Sequence, residues 1–304
     1  MEYMLTTENL SKRYGRFRAL DGCTMRVEKG AIYGFVGKNG AGKTSLIRLI
    51  CGLQEPDHGT YTLCGIKNTD REIHKVRRRM GVMVEAPSIW PDMTAEENLR
   101  QQYRILGLPS MEGVRELLEM VDLRDTGRKK AGHFSLGMRQ RLGIAVALAG
   151  SPDFLVLDEP VNGLDPEGII EIRELLLKLN RQRQITILIS SHILDELSRL
   201  ATHYGFIDRG RILREISAAE WERSCGRHTR ITVSDMTALS RVLEERQIRY
   251  TVCSDHAADI YDRLNVTDLV TALACENCRV ETIEEREDSL ESYYVNLLGG
   301  GRHE

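Results

Sequence analysis

Three short runs of apolar residues occur at positions 31–36, 154–157 and 185–189 of the chain. Each run is nearly continuous rather than alternating, which is typical of strands buried on both faces of a parallel sheet. Between the last two runs, apolar residues recur at helical spacing and predict a helix over residues 168–180. Strands joined by a crossover helix indicate an α/β core.

The pattern differs on either side of these runs. Residues 1–30 alternate between apolar and polar with turn signals at Tyr14-Gly15 and Lys29-Gly30, and residues 61–64 resemble another strand, so we expect an antiparallel sheet. Residues 86–150 are largely helical in pattern, and Thr94 followed by Glu97 predicts a capping box. The first 215 residues therefore suggest a parallel-sheet core with an antiparallel β-subdomain and an α-helical subdomain.

Residues 216–304 form a separate α+β module in this interpretation. The predicted order of strand, helix, strand, strand, helix and strand is that of a ferredoxin-like fold, followed by one more helix. The expected strands are at 229–233, 248–253, 260–264 and 279–283, and the expected helices are at 237–245, 268–275 and 289–297. Asp259, near the expected turn after residue 253, is predicted to be solvated, and Cys275 to be in the core.

Composition narrows the functional classes. The 304 residues are 41% hydrophobic and 29% charged, as in globular proteins, and the formal net charge of −3 does not favour a nucleic-acid partner. There is no run of about 18 apolar residues, and the N-terminus lacks an export signal, so we expect a cytoplasmic location. The seven cysteines are expected to be free thiols in that compartment.

Residues 37–44 match the pattern G-x-x-x-x-G-K-[ST] between a predicted strand and a predicted helix. Glycines let backbone N–H groups turn towards phosphate oxygens, and the helix N-terminus adds partial positive charge. Lys43 is suited to the β- and γ-phosphates, and the Thr44 hydroxyl to Mg²⁺. The candidate nucleotide-binding residues of this segment are Gly37, Asn39, Gly40, Gly42, Lys43, Thr44 and Ser45.

Two more segments carry candidate chemistry. The apolar run 154–157 leads into Asp158 and Glu159. A carboxylate at the end of a buried strand suits phosphate-bound Mg²⁺, which we assign to Asp158, while Glu159 is placed to orient or deprotonate a water molecule. Ser135 and Gly137 open an apolar helix and offer a hydroxyl, free N–H groups and the helix dipole to an anion.

In this order, the motifs resemble those of the ATP-binding subunits of ABC transporters. Residues 37–44 match the Walker A loop, residues 154–159 match Walker B, and residues 135–139 resemble the signature loop, with Leu136 and Met138 in place of its commoner Gly and Gln. Residues 162–165 resemble the D-loop, ending at Asp165. His192 resembles the switch histidine that contacts the γ-phosphate, and Tyr14 occupies the position of the aromatic residue that stacks on adenine.

The resemblance implies a P-loop NTPase cassette that hydrolyses ATP with Mg²⁺. It implies a head-to-tail dimer, either a homodimer or a heterodimer of two cassettes, in which Ser135 and Gly137 serve the partner's nucleotide. It also implies a separate transmembrane permease that holds the cassette at the inner face of the cell membrane. Lys43, Glu159 and His192 are the catalytic candidates that it indicates.

One departure from the family pattern indicates which branch of the family the chain resembles. The family usually carries Gln at the loop after the basic helix, where it senses Mg²⁺ and the membrane subunit, and Glu85 stands there in this chain. Glu85 is thus a third candidate metal ligand beside Thr44 and Asp158. A Glu there with a Ser-Leu-Gly-Met signature is similar to the branch that exports bacitracin or lantibiotic-type peptides.

Two alternatives stay open. A non-transport ABC ATPase usually has a long coiled-coil insertion or two cassettes, whereas residues 43–135 show no extended heptads and the chain has one phosphate loop. An importer subunit with a ligand-sensing C-terminal domain is the other alternative, because nothing in residues 216–304 separates regulation from a structural role.

Overall fold

The computed structural model describes residues 2–224, 227–262, 265–287 and 289–299. The chain forms two compact units, one ending at Ala218 and the other beginning at Ala219. The helices are α1 (Lys43–Ile50), α2 (Ile73–Arg77), α3 (Ala95–Leu106), α4 (Gly113–Met120), α5 (Leu136–Leu148), α6 (Pro166–Arg183), α7 (Leu194–Ser198), α8 (Ala218–Ser224), α9 (Met236–Glu245), α10 (Val266–Cys275) and α11 (Leu290–Gly299). The strands are β1 (Tyr3–Tyr14), β2 (Phe17–Glu28), β3 (Ile32–Val36), β4 (His58–Leu63), β5 (Ile66–Lys67), β6 (Met80–Met83), β7 (Phe154–Asp158), β8 (Thr186–Ser191), β9 (His203–Asp208), β10 (Arg211–Ser217), β11 (Arg227–Val233), β12 (Tyr250–Ser254), β13 (Ala257–Ile260) and β14 (Val280–Glu287).

The first unit contains a six-stranded sheet in the order β10-β9-β3-β8-β7-β6. Its strands are parallel except for β10, which pairs antiparallel with β9 at one edge. The predicted strands at 31–36, 154–157 and 185–189 are β3, β7 and β8, and every residue of these three strands is buried. Burial on both faces explains why the runs are continuously apolar.

A second, antiparallel sheet has the order β2-β1-β4-β5. Helix α1 contributes Leu46 and Ile47 to a core cluster that includes Leu20 of β2 and Phe35 of β3. All four side chains are fully buried. The helix that follows the phosphate-loop motif is therefore fixed by packing from both sheets.

The α-helical subdomain contains α3, α4 and α5, as the pattern over residues 86–150 predicts. The capping box at its start is present. The Thr94 hydroxyl accepts a hydrogen bond from the Glu97 N–H at 3.2 Å, and the Glu97 carboxylate accepts one from the Thr94 N–H at 2.7 Å. Gly107 ends α3 with φ of 68°, a left-handed conformation that glycine adopts without steric cost.

The second unit has an antiparallel four-stranded sheet in the order β12-β13-β11-β14. Counted along the chain, its strands lie in the order second, third, first, fourth, the arrangement of the ferredoxin-like fold that the element order predicts. The third strand was expected at 260–264, but β13 is Ala257–Ile260. Residues 263 and 264 lie outside the described part of the chain.

Asp259 and Cys275 differ from expectation. Asp259 is 7% exposed, because its strand neighbour Arg230 covers it and donates two hydrogen bonds of 2.7 Å to its two oxygens. Cys275 is exposed, whereas Cys278, after the turn, is buried and donates to the Asp235 carbonyl at 3.3 Å. The helix turns Cys275 outward, so the buried cysteine of the pair is the second one.

We expect Arg230→Ala to destabilise the second unit by about 2 kcal/mol, because it removes two charged hydrogen bonds from a buried carboxylate, to which the Cys253 thiol at 3.0 Å is a weaker donor. The matched control is Arg249→Ala, which removes a more exposed pair with Asp262 that flanks β12 and β13 of the same sheet. Hydrogen exchange of peptides from β11 and β13 measures the local opening free energy. Equal protection in both variants would contradict the assigned role of the Arg230–Asp259 pair.

Candidate functional site

The phosphate-loop motif connects β3 to α1, and its glycines are required by the backbone. Gly40 and Gly42 have φ of 81° and 112°, in the left-handed region. A Cβ on Gly42 would lie 2.5 Å from the Ala19 carbonyl oxygen, and one on Gly37 would lie 2.6 Å from Ile207 Cγ2. Only glycine fits at these two positions without movement of the neighbouring chain.

A cavity of about 180 Å³ opens over this loop. It is lined by Phe17, Ala19, Lys38, Asn39, Gly40, Gly42, Lys43, Thr44, Ser45 and Glu159. Phe17 and Ala19 were not predicted to be there. Phe17 is an exposed aromatic residue directly after the β1–β2 turn. The alternation of apolar and polar residues in its strand does not show which cavity its side chain faces.

Lys43, the first residue of α1, is only 5% exposed. Its Nζ donates to the Gly37 carbonyl oxygen at 2.5 Å and lies 3.1 Å from Glu159 Oε1. The ammonium group is therefore neutralised by a carboxylate and oriented by the loop itself. A negatively charged ligand of the loop would compete with Glu159 for this cation.

Asp158 ends β7 and is 2% exposed. The Thr44 hydroxyl donates to Asp158 Oδ2 at 2.7 Å. The two residues are 114 positions apart in sequence, and the fold brings their oxygens into direct contact. This contact joins the phosphate loop to the carboxyl end of β7, which lies one strand beyond β8 in the sheet.

Glu159 follows β7 with φ of 51°, which is unusual for a residue with a side chain. Its Oε2 lies 2.7 Å from His192 Nδ1, and its Oε1 faces Lys43. The three catalytic candidates Lys43, Glu159 and His192 thus form one contiguous cluster.

Two other candidates lie nearer the surface. Tyr14 ends β1, is 38% exposed and donates its hydroxyl hydrogen to the Gln54 side chain. Glu85, with φ of 63°, forms an ion pair with Arg48 of α1, and its side chain is 60% exposed. Of the three metal candidates, Thr44 and Asp158 are in contact with each other, whereas the carboxylate of Glu85 pairs with Arg48.

The remaining candidates line a different cavity, of about 490 Å³. Ser135 caps α5 by accepting the Met138 N–H at 3.2 Å, and Asp165 caps α6 by accepting the Gly168 N–H at 3.1 Å. Gly137, in the first turn of α5, lines the same cavity. Among the described residues, the linings of this cavity and of the phosphate-loop cavity have no member in common.

Residues 20–162 match the ABC transporter family. The chain is 40% identical to the bacitracin transport ATP-binding protein BcrA of Bacillus licheniformis over 304 residues, which cover 99% of both chains. The chain belongs to the ABC transporter ATP-binding proteins. A second BcrA, from Enterococcus faecalis, is 38% identical over 99% of this chain and 98% of its own.

Solved ABC cassettes share the fold of the first unit. A dimeric bacterial ABC transporter cassette superposes with a TM-score of 0.64 at 27% identity, covering 71% of this chain and 99% of its own. A dimeric cassette in a post-hydrolysis state, bound to ADP and phosphate, has a TM-score of 0.64 at 25% identity with the same coverage. As an ABC ATPase, this protein binds and hydrolyses ATP, and cassettes of its family act as dimers with separate transmembrane subunits.

Within the described residues, no helix combines the length and the hydrophobicity that a bilayer span requires.

Proposed function

We propose that this ABC ATPase powers the export of a bacitracin-like antimicrobial peptide through a separate permease, to which it binds at the inner face of the cell membrane. The observation that carries this proposal is the extent of the similarity to the bacitracin transport proteins, which includes the second unit as well as the cassette. The lantibiotic transport protein SrtF of Streptococcus pyogenes is 39% identical but matches 70% of this chain.

A second cargo class has a specific observation in its favour. The daunorubicin resistance ATP-binding protein DrrA3 of Streptomyces coeruleorubidus is 33% identical over 98% of this chain. An amphipathic drug is therefore the alternative cargo. The higher identity to the bacitracin transport proteins over the same length favours the peptide.

For the chemistry, we assign the phosphates of ATP to the N–H groups of residues 37–44 and to the N-terminus of α1. Tyr14 is assigned to stack on adenine. Lys43 is buried at the loop and is assigned to the β- and γ-phosphates. Because its ammonium group is paired with Glu159 at 3.1 Å, we expect the arriving γ-phosphate to take Lys43 from Glu159. This exchange would free the carboxylate to act on water.

Thr44 of α1 and Asp158 at the end of β7 fit a Mg²⁺ ion that arrives with ATP. The hydroxyl of Thr44 and the carboxylate of Asp158 are hard oxygen donors held 2.7 Å apart, the ligand type that Mg²⁺ prefers. The bound ion would supply charge neutralisation at the phosphate oxygens. Glu85 remains a predicted metal ligand, because its carboxylate must first leave Arg48.

Glu159 and His192 are assigned to the hydrolytic step. Glu159 accepts a proton from, or orients, the water that attacks the γ-phosphate in line, and His192 holds the γ-phosphate side. A joint role is supported by the 2.7 Å contact between His192 Nδ1 and Glu159 Oε2, since Glu159 itself lines the phosphate-loop cavity. The cavity at Ser135, Gly137 and Asp165 is assigned to the nucleotide of the dimer partner, in a homodimer or in a heterodimer of cassettes.

The cargo is tested by deleting the gene in its native host and measuring growth inhibition by bacitracin, a lantibiotic and daunorubicin. We expect the deletion to sensitise the cells to bacitracin several-fold and to be rescued by the wild-type gene. The matched control is Glu159→Gln, which should be produced normally and fail to rescue. Sensitisation to daunorubicin alone would support the drug as cargo and contradict the peptide.

The membrane partner is tested by pull-down of the tagged protein from native membranes, with mass spectrometry of what is recovered. Recovery of a polytopic membrane protein is the expected result. Recovery of only ribosomal or DNA-bound proteins would contradict the transport proposal and leave the ATPase chemistry unaffected.

A further inference from the structure

Ser190 of β8 contacts both Asp158, which ends β7, and Glu159, which follows it. It is fully buried and pairs in register with Asp158 across the parallel strands. Its hydroxyl donates to Asp158 Oδ1 at 2.5 Å and accepts the N–H of Glu159 at 3.0 Å. One hydroxyl therefore uses its single hydrogen on one carboxylate residue and a lone pair on the backbone of the next.

The hydrogen bond to Asp158 fixes the orientation of that carboxylate. Asp158 accepts one hydroxyl on each oxygen, from Ser190 on Oδ1 and from Thr44 on Oδ2. Thr44 is itself assigned to the metal ion, so its hydroxyl has a second task when ATP is bound. Ser190 is the donor that can hold the plane of the Asp158 carboxylate in both situations.

The hydrogen bond to Glu159 acts on a strained backbone. Glu159 has φ of 51°, a left-handed conformation that a residue with a Cβ adopts only at a steric cost. Its N–H lies 3.0 Å from Ser190 Oγ and 3.1 Å from the Ser190 carbonyl oxygen. Such conformations persist only where surrounding contacts determine them, and here both acceptors belong to Ser190.

We propose that Ser190 is a positioning residue for ATP hydrolysis, which aligns Asp158 for the metal ion through its carboxylate and Glu159 for the water through its backbone. The proposal rests on the roles proposed above for Asp158 and Glu159. It assigns no contact between Ser190 and the nucleotide. Loss of the hydroxyl should therefore reduce the enhancement of ATP binding by Mg²⁺ and lower the turnover. Binding of ATP without metal should stay unchanged.

The test compares Ser190→Ala with Thr186→Val in the full chain. Thr186 is a matched control, since it is a fully buried hydroxyl residue of the same strand whose Oγ1 accepts the Gly30 N–H at 2.9 Å, at the far end from the site. Binding of a fluorescent ATP analogue is measured with and without Mg²⁺, together with kcat and the thermal midpoint. For Ser190→Ala we expect a roughly 10- to 100-fold loss of the Mg²⁺ enhancement of binding and of kcat. Thr186→Val should lower the thermal midpoint without changing either quantity.

Two further variants keep the test decisive. Ser190→Thr retains the hydroxyl and should recover most of kcat. Ser190→Cys has a similar size but a weak donor, so it should show the losses expected for Ser190→Ala, and it replaces that variant if the alanine protein does not fold. Wild-type kcat and Mg²⁺ enhancement in Ser190→Ala or Ser190→Cys would overturn the proposal. Glu159→Gln tests the proposed role of Glu159 separately. If that variant loses turnover while Ser190→Ala keeps it, only the Ser190 proposal fails; if both keep their turnover, the role of Glu159 fails as well.

Discussion

Replacing Glu159 with glutamine is expected to lower ATP turnover by roughly 100-fold or more while ATP still binds. The amide keeps the size of the side chain but cannot accept a proton from water. It also removes the negative charge that lies 3.1 Å from Lys43 Nζ. Since the γ-phosphate no longer has to displace a carboxylate from Lys43, we expect nucleotide affinity to be equal to or higher than that of the wild type.

Single-turnover phosphate release and equilibrium binding of ATP measure the two effects separately. A suitable control is Glu196→Gln, because Glu196 is a partly buried glutamate that is ion-paired with Arg173 of α6 at 3.3 Å rather than with Lys43 or His192. The control should keep wild-type turnover. Unchanged turnover in Glu159→Gln would defeat the assignment of the water-activating group.

Lys43→Ala is expected to act earlier, on nucleotide binding itself. Truncating one partner of a buried charged contact costs about 2–5 kcal/mol, so we expect ATP affinity to fall by at least roughly 30-fold. The variant also leaves Glu159 Oε1 without its cation in the absence of nucleotide. The free energy of unfolding should therefore fall in Lys43→Ala and partly recover in the double variant with Glu159→Gln.

Isothermal titration with ATP and urea unfolding of the nucleotide-free protein measure these two quantities. Lys12→Ala serves as the control, because Lys12 is a partly buried lysine that is paired with Asp57 at 3.1 Å outside the site. Its ATP affinity should equal that of the wild type. If Lys43→Ala bound ATP as tightly as Lys12→Ala, the phosphate role of Lys43 would be excluded.

The parts of the site that sequence could predict are those whose requirement is local. The glycines at Gly40 and Gly42 are dictated by the backbone turn within one loop, and their spacing to Lys43 and Thr44 is visible in the chain. The continuously apolar runs also reflect a local requirement. Each residue of such a strand is buried, so nearly every position of the run is apolar and the pattern predicts a buried parallel strand.

The parts that sequence could not predict depend on contacts between distant segments. The pairing of Lys43 with Glu159 and the two hydrogen bonds of Ser190 arise only when β3, β7 and β8 lie side by side. The ion pair of Arg48 with Glu85 depends in the same way on the position of α1. Nothing in the local pattern around any of these residues marks its partner.

Errors in the second unit have a related cause. The residues of β12 from Thr251 to Ser254 are exposed and weakly patterned, so the end of this strand has no strong signal and the next strand was expected too late. Asp259 is polar in sequence, and its burial depends on Arg230 from the neighbouring β11. Polar cross-strand pairs of this kind are invisible to a hydrophobic pattern.

The position of β3 in the sheet has a consequence for how the protein is made. Val36, which leads into the ATP-binding loop, pairs with Ser191 of β8 and Phe206 of β9, both encoded far downstream. At a translation rate of roughly 5–20 residues per second, β3 waits on the order of 10 s for either neighbour. The loop therefore leaves the ribosome well before the strands that shape it, and a nascent chain that stops before β8 carries the Walker A sequence without a nucleotide site.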